Sequence, residues 1–285
     1  MTLLIDRFST LAPHYDVVLS DVWGVIHNGV AAFSDACEAL AQFRKAGGTV
    51  ILITNAPRPH TSVARQLEHL RVPRDAYDGI VSSGDVTRDV LAHRPGQSVF
   101  HLGPERDKAI FEGFDIRFAD AERADYVICS GLFDDETETP DDYRDMLAVM
   151  RARNLFMVCG NPDVVVERGH QMLYCAGAIA DLYASLGGEV LYAGKPYRPI
   201  YDMSLRKAET ARRTPTPAAR VLAIGDSVST DFTGAQRQGI DCLFVTAGIH
   251  SAEFGGRDVP DEEAVKTIFA ETGAAPKAVT HRLAW

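Results

Sequence analysis

The chain is short of the features that mark several large protein classes. Its five cysteines, Cys37, Cys129, Cys159, Cys175 and Cys242, are odd in number and contain no Cys-x-x-Cys pair. That argues against a disulfide framework and against a zinc site of the usual spacing. Cys129 and Cys159 lie in apolar runs, as reduced core thiols do. Basic charge is also scarce, with 29 Lys and Arg against 39 Asp and Glu, a net charge of −10. No basic excess is available to neutralise a phosphate backbone, so no nucleic-acid partner is expected. A small phosphorylated ligand needs only a local positive site and stays compatible with this balance. No apolar run approaches the roughly 20 residues of a membrane span, so no membrane partner is expected. The segment Met1 to Arg7 lacks a basic region followed by the apolar core of a signal peptide. A cytoplasmic protein with reduced cysteines is the resulting expectation.

What is present is 285 residues that are 46% hydrophobic and 24% charged. This is a globular composition, long enough for one large or two ordinary domains. Apolar runs and helical patterns alternate along it. Val17 to Leu19 reads as a buried parallel strand that runs into Asp21. Ser34 to Ala46 reads as a helix stopped by Gly47-Gly48, Thr49 to Ile53 as a strand ending at Thr54-Asn55, and Thr61 to Leu70 as a helix. Gly79 to Val81 reads as a strand. This β-α-β-α-β order predicts an α/β fold with a Rossmann-like, doubly wound parallel sheet. From about Val86 a second alternation begins: strands at Ser98, Phe114, Tyr126 and Leu155, a helix opened by Pro140, and a helix over Met172 to Leu186. After Gly194-Lys195-Pro196 come a helix over Ile200 to Ala211, a strand ending at Gly225-Asp226, a helix over Phe232 to Gln238, a strand over Cys242 to Thr246 and a helix over Pro260 to Glu271. The tail to Trp285 carries no assignment. The expected organisation is a core from residues 1–85 and 190–285 with an inserted α/β cap over residues 86–189.

Each of four short sites closes an apolar strand: Asp21, Thr54-Asn55, Lys195, and Asp226 with Asp231. In open α/β sheets the ligand crevice lies beyond the carboxyl ends of the strands, which is where all four would stand. Thr54 follows Asp21 by 33 residues, Lys195 follows Thr54 by 141, and Asp226 follows Lys195 by 31. Taken singly, these are also ordinary turn, loop and N-cap signals. Together, Asp21-Val-Trp-Gly-Val-Ile, Ile53-Thr54-Asn55, Gly194-Lys195-Pro196 and Gly225-Asp226-Ser-Val-Ser-Thr230-Asp231 resemble the haloacid dehalogenase superfamily, most closely its subclass IIA, the NagD-like phosphatases. Asn161-Pro162-Asp163 is also typical of that subclass.

The resemblance implies a role for each residue. Asp21 would be the nucleophile that forms an aspartyl-phosphate. Thr54 and Asn55 would bind the phosphoryl oxygens. Lys195 would supply a point positive charge to the nucleophile and the transferring group. Asp226, one oxygen of Asp21 and the carbonyl of Trp23 would hold Mg²⁺, with Asp231 supporting the ion or ligating it. The cap would close over the substrate and set specificity. The expected function is a Mg²⁺-dependent phosphohydrolase acting on a small phosphorylated metabolite, with homo-oligomer formation left open.

One position departs from the pattern. The family's phosphatases carry a second aspartate two residues after the nucleophile, which protonates the leaving oxygen and then activates water. Here that residue is Trp23, whose indole N–H only donates and does not exchange a proton near neutral pH. Such an acid–base group contributes roughly 10²–10⁴-fold. His27 is the nearby group whose ordinary pKa suits the task; its other reading is a solvated loop histidine. Trp23 could instead stack on a ring of the ligand. Two further readings follow from the missing acid: a non-catalytic phosphometabolite-binding or regulatory protein, and a dehalogenase-type hydrolase, which the retained Asp226 and Asp231 disfavour.

Overall fold

The computed structural model describes residues 3–168, 171–255 and 260–285. In chain order its strands and helices are β1 (Leu3–Leu4), β2 (Val17–Ser20), α1 (Ser34–Lys45), β3 (Thr49–Thr54), α2 (His60–His69), β4 (Gly79–Ser82), α3 (Ser83–Ala92), β5 (Ser98–Leu102), β6 (Arg117–Phe118), β7 (Tyr126–Cys129) and α4 (Arg144–Ala152). They continue with β8 (Phe156–Cys159), β9 (Val165–Arg168), β10 (Gln171–Tyr174), α5 (Ala176–Ser185), β11 (Val190–Tyr192), α6 (Arg198–Arg212), β12 (Val221–Gly225), α7 (Thr233–Gln238), β13 (Asp241–Val245), α8 (Glu262–Glu271) and β14 (Ala278–Thr280). The chain divides into two compact units. One comprises Met1–Thr54, Ala64–Val81 and Tyr201–Trp285; the other comprises Asn55–Val63 and Ser82–Ile200.

The first unit is built on a seven-stranded sheet in the order β1-β14-β13-β12-β2-β3-β4. Every residue of β2, β3 and β12 is buried. Such near-continuous Val/Ile/Leu runs belong to parallel strands covered on both faces. β2 pairs in parallel with β12 on one side and β3 on the other, so that Ser20 lies level with Ile224 and Leu52. From β2 the chain winds outward through β3 and β4, and later through β12, β13 and β14 on the opposite side. The β2–β12 junction is therefore the point where strand order reverses, and the residues just past it face the crevice of a doubly wound fold. α1 buries Ala36, Cys37, Ala39, Leu40, Ala41 and Phe43, a stripe at helical spacing. Phe43 packs on Phe8 at 5.5 Å between ring centres, and Phe8 meets Trp285 edge-on at 5.9 Å. The tail left unassigned from sequence supplies β14, which runs parallel to β13 and β1.

The second unit holds a five-stranded sheet in the order β11-β8-β7-β5-β6, parallel in each pair, and an antiparallel pair β9-β10. Its core joins Val127, Cys129, Met157 and Cys159 from the sheet to Leu147 and Met150 of α4 and Ile179 and Tyr183 of α5. This unit reaches beyond the expected insert of residues 86–189 at both ends. β11 pairs with β8, which ties Val190–Tyr192 to the second sheet. α3 begins at Ser83 because Ser82 caps it, accepting from the Asp85 N–H while the Asp85 carboxylate accepts from Ser82.

The helix expected over Met172 to Leu186 is a correction. Its first residues form β10, with Leu173 buried and Met172 and Tyr174 exposed, and the helix starts only at Ala176. Pairing with β9 satisfies these backbone groups, and a short apolar run reads equally as strand or helix until its partner is known. All five cysteines are free and buried. Among the described residues no helix is long and apolar enough to cross a membrane.

Candidate functional site

Asp21, Asp226 and Asp231 converge in the first unit. All three are buried, and one carboxylate oxygen of each lies within 4.8 Å of the others. The convergence follows from register. Asp21 continues β2 and its N–H donates to the Ile224 carbonyl at 2.8 Å, while Asp226 directly follows β12. Asp231 comes back beside them through a π-helical turn over Val228–Phe232, in which the Ser227 N–H donates to Asp231 Oδ2 at 3.2 Å.

The cluster is packed to the limit by backbone. A Cβ on Gly24 would lie 2.0 Å from Asp226 Oδ2, one on Gly248 would lie 1.8 Å from the same oxygen, and one on Gly225 would lie 2.1 Å from Asp231 Cγ. Gly24 also has φ +82°, a left-handed conformation that favours glycine. The Ile249 N–H donates to Asp226 Oδ2 at 2.9 Å. Sequence reasoning missed Gly248 and Ile249, although their signal was available: Ala247-Gly248 follows strand β13 as Gly225-Asp226 follows β12. An all-oxygen set of three buried carboxylates suits a hard divalent cation.

Trp23 stands two residues after Asp21 and is 45% exposed, whereas His27 is 2% exposed. His27 is therefore no solvated loop residue. Its Nδ1 accepts from the Gly29 N–H at 2.9 Å, and its ring meets the indole of Trp23 edge-to-face at 5.4 Å. Thr54 ends β3 and is buried.

Asn55 and Lys195 come together in the second unit. Asn55 Oδ1 accepts from the backbone N–H of Lys195 at 2.7 Å, and Asn55 Nδ2 donates to the Lys195 carbonyl at 3.0 Å and to Asp163 Oδ1 at 2.8 Å. The Asn55 amide thus fastens the backbone of residue 195, a use that strand-end position alone did not suggest. Gly194 permits it, since a Cβ there would lie 2.4 Å from Asn55 Oδ1. Asp163 is held in turn by a turn in which its N–H donates to Asn161 Oδ1 at 3.2 Å, which gives Asn161-Pro162-Asp163 a structural task.

Comparison with known proteins agrees with this architecture. A family described as haloacid dehalogenase-like hydrolase matches residues 18–117, and one described as HAD-hydrolase-like matches residues 192–279. The crystal structure of a hydrolase of the haloacid dehalogenase-like family from Brucella suis 1330 is 45% identical and superimposes with a TM-score of 0.85, covering 98% of this chain and 100% of that one. The chain belongs to the haloacid dehalogenase-like hydrolases. Two further relatives are more distant. The 5'-nucleotidase YutF of Bacillus subtilis (strain 168) is 24% identical over 242 residues, 84% of this chain and 90% of its own. The D-glycerol 3-phosphate phosphatase of Mycobacterium tuberculosis is 28% identical over 251 residues, 85% of this chain and 66% of its own.

Proposed function

We propose that this hydrolase is a Mg²⁺-dependent phosphatase of a small phosphorylated metabolite, working through an aspartyl-phosphate. The observation that carries the reading is the buried cluster of Asp21, Asp226 and Asp231. Carboxylates gathered out of water repel one another and are most readily held around a cation. Asp21, Asp226 and Asp231, with the carbonyl of Trp23, would hold the ion, and Mg²⁺ bound there would offset charge on the phosphoryl oxygens. The names of the two distant relatives, a 5'-nucleotidase and a D-glycerol 3-phosphate phosphatase, support a phosphate monoester as substrate.

In this reading an Asp21 oxygen attacks phosphorus, and the P–O bond to the leaving group breaks with its electron pair on the departing oxygen. Water then cleaves the acyl-phosphate, returning the Asp21 carboxylate and inorganic phosphate. Thr54 and the Asn55 backbone bind the phosphoryl oxygens. The Asn55 side chain positions Lys195, whose ammonium supplies the compensating positive charge. The second unit, which contains residues 86–189, would set specificity. The free, buried cysteines suit a reducing, cytoplasmic setting.

Trp23 favours a second reading, a phosphometabolite-binding protein that kept the pocket and lost the acid. A panel of phosphate monoesters assayed with and without Mg²⁺ separates the two. Metal-dependent phosphate release that disappears in Asp21→Asn is the expected result. Binding without turnover in the unsubstituted protein would favour the second reading, and metal-independent halide release from a haloacid would favour a dehalogenase.

A further inference from the structure

Two strand-end loops meet at the acidic cluster, and one histidine ties them together. Much of the turn that carries Asp231 is bonded within itself. The Asp231 and Phe232 N–H groups donate to the Ser227 carbonyl at 3.1 and 3.0 Å, and the Thr230 N–H donates to Ser227 Oγ at 3.3 Å. Thr233 Oγ1 donates to the Val228 carbonyl at 2.7 Å. The Val228 N–H points elsewhere: it donates to Nε2 of His250 at 3.4 Å, across to the loop that follows β13. That loop also touches the other acid, through the Ile249 N–H bond to Asp226 Oδ2 and the close approach of Gly248. Three consecutive residues, Gly248, Ile249 and His250, therefore hold Asp226 directly and Asp231 through its turn.

His250 is itself fixed. Its Nδ1 lies 2.8 Å from Glu253 Oε1, and its side chain is 23% exposed. An ionised carboxylate only accepts and a backbone N–H only donates. Both neighbours thus demand the same ring, neutral, with the proton on Nδ1 and the lone pair on Nε2. The His250 carbonyl accepts from the N–H groups of Glu253 and Phe254 at 2.9 and 3.2 Å. Phe254 is buried against Phe244 of β13 and Phe269 of α8, at 5.4 and 6.2 Å between ring centres. The imidazole links this aromatic core to the first residue of the turn.

Three carboxylates with oxygens within 4.8 Å repel one another when no cation lies between them. That repulsion drives Asp231 and its turn away from Asp21 and Asp226 unless the backbone opposes it. A brace on Val228, three residues before Asp231, opposes it at the base of the turn. It keeps the oxygen set together before the cation arrives, so that binding need not order the turn.

We infer that His250 is a positioning residue of the cation site: its imidazole, oriented by Glu253, braces the Asp231 turn against carboxylate repulsion and so raises the affinity of the site for Mg²⁺. The inference rests on the cation reading of the cluster given above. It goes beyond that reading by assigning part of the affinity to a residue outside the proposed ligand set.

The test titrates Mg²⁺ by calorimetry into the unsubstituted chain, His250→Leu, His250→Gln and Glu253→Ala, and melts each of them in EDTA. Leucine keeps the bulk and removes the acceptor, whereas the glutamine amide oxygen can still accept from the Val228 N–H. His250→Leu is expected to bind Mg²⁺ about two- to tenfold more weakly, the range of one net hydrogen bond. Its melting temperature in EDTA should change little, because relief of the repulsion offsets the lost bond. His250→Gln should keep most of the affinity. Glu253→Ala, at a side chain that is 58% exposed, should lose part of it because the ring is no longer oriented, and it decides the matter if His250→Leu does not fold. Unchanged Mg²⁺ affinity in His250→Leu and Glu253→Ala, a glutamine variant as weak as the leucine one, or a lower melting temperature in EDTA with affinity intact overturns the brace. If the unsubstituted chain binds no Mg²⁺, the cation reading of the cluster falls and takes the brace with it.

Discussion

Replacing Asp226 with asparagine should raise the stability of the metal-free protein and remove most of the further stabilisation that Mg²⁺ brings. The three carboxylates of Asp21, Asp226 and Asp231 are buried, with oxygens no more than 4.8 Å apart. At an effective dielectric of about 20, each ionised pair at that distance costs about 3.5 kcal/mol. Hydrogen bonds such as the one from the Ile249 N–H to Asp226 offset part of that repulsion. Asp226→Asn removes two of the three repulsive pairs without changing side-chain size. The asparagine oxygen can still accept from the Ile249 N–H and fit beside Gly24 and Gly248. Without metal the variant should therefore gain about 2–4 kcal/mol, roughly 3–7 °C in Tm for a chain of this size. With Mg²⁺ at a hundred times its Kd, the unsubstituted protein gains about 2.7 kcal/mol from binding. The variant, short of one anionic ligand, should gain little. Thermal unfolding by circular dichroism in EDTA and in 10 mM MgCl₂ reads both quantities, and the two proteins should differ in the size of their response to Mg²⁺. A variant that melts below the unsubstituted protein in EDTA, or that keeps the full Mg²⁺-induced shift, refutes the electrostatic account of the cluster.

Two further expectations concern single side chains. Trp23→Asp should narrow the gap in kcat between aryl and alkyl phosphates by up to the roughly 10²–10⁴-fold of an acid–base group; a folded variant with an unchanged ratio means that leaving-group protonation is not the weak step. In the second unit, burial and then the nearby Lys108 push His101 down to about 4, and its Nε2 lies 3.0 Å from Ser130 Oγ. The unfolded chain takes up this proton near pH 6.5 and the folded chain only near pH 4, so His101 draws stability away as pH falls through that interval, by up to about 3 kcal/mol, and has no effect above it. Urea unfolding at pH 7.5, 5.5 and 4.5 should show a flatter profile for His101→Gln, and parallel profiles would contradict this.

The legible part of the fold is the part written in local runs. Val17–Ser20, Thr49–Thr54 and Val221–Gly225 are apolar on both faces, and a strand with two apolar faces belongs inside a parallel sheet. The positions of Asp21, Thr54 and Asp226 at strand ends follow from the same runs. The start of α3 is written locally too, as the Ser-x-x-Asp signal of Ser82 and Asp85. The edge strands β1 and β14 were not legible, because two or three residues carry no period and become strands only through the neighbours that bond them.

By itself, then, the sequence determined an α/β chain with a parallel core, acidic residues closing two of its strands, and a tryptophan two residues after the first of them, since each of these is carried by contiguous residues or by type and spacing. Only the tertiary structure decided what those residues do to one another. Sheet register carried Asp226 to Asp21 across more than two hundred residues, and a π-helical turn brought Asp231 back to both. Side-chain hydrogen bonds turned Asn55 into the clamp on Lys195, 140 residues away. Burial made His27 the support of an exposed indole and not a solvated loop residue. Contacts between distant segments are set by packing and hydrogen-bond satisfaction in the folded chain, and no local period encodes them.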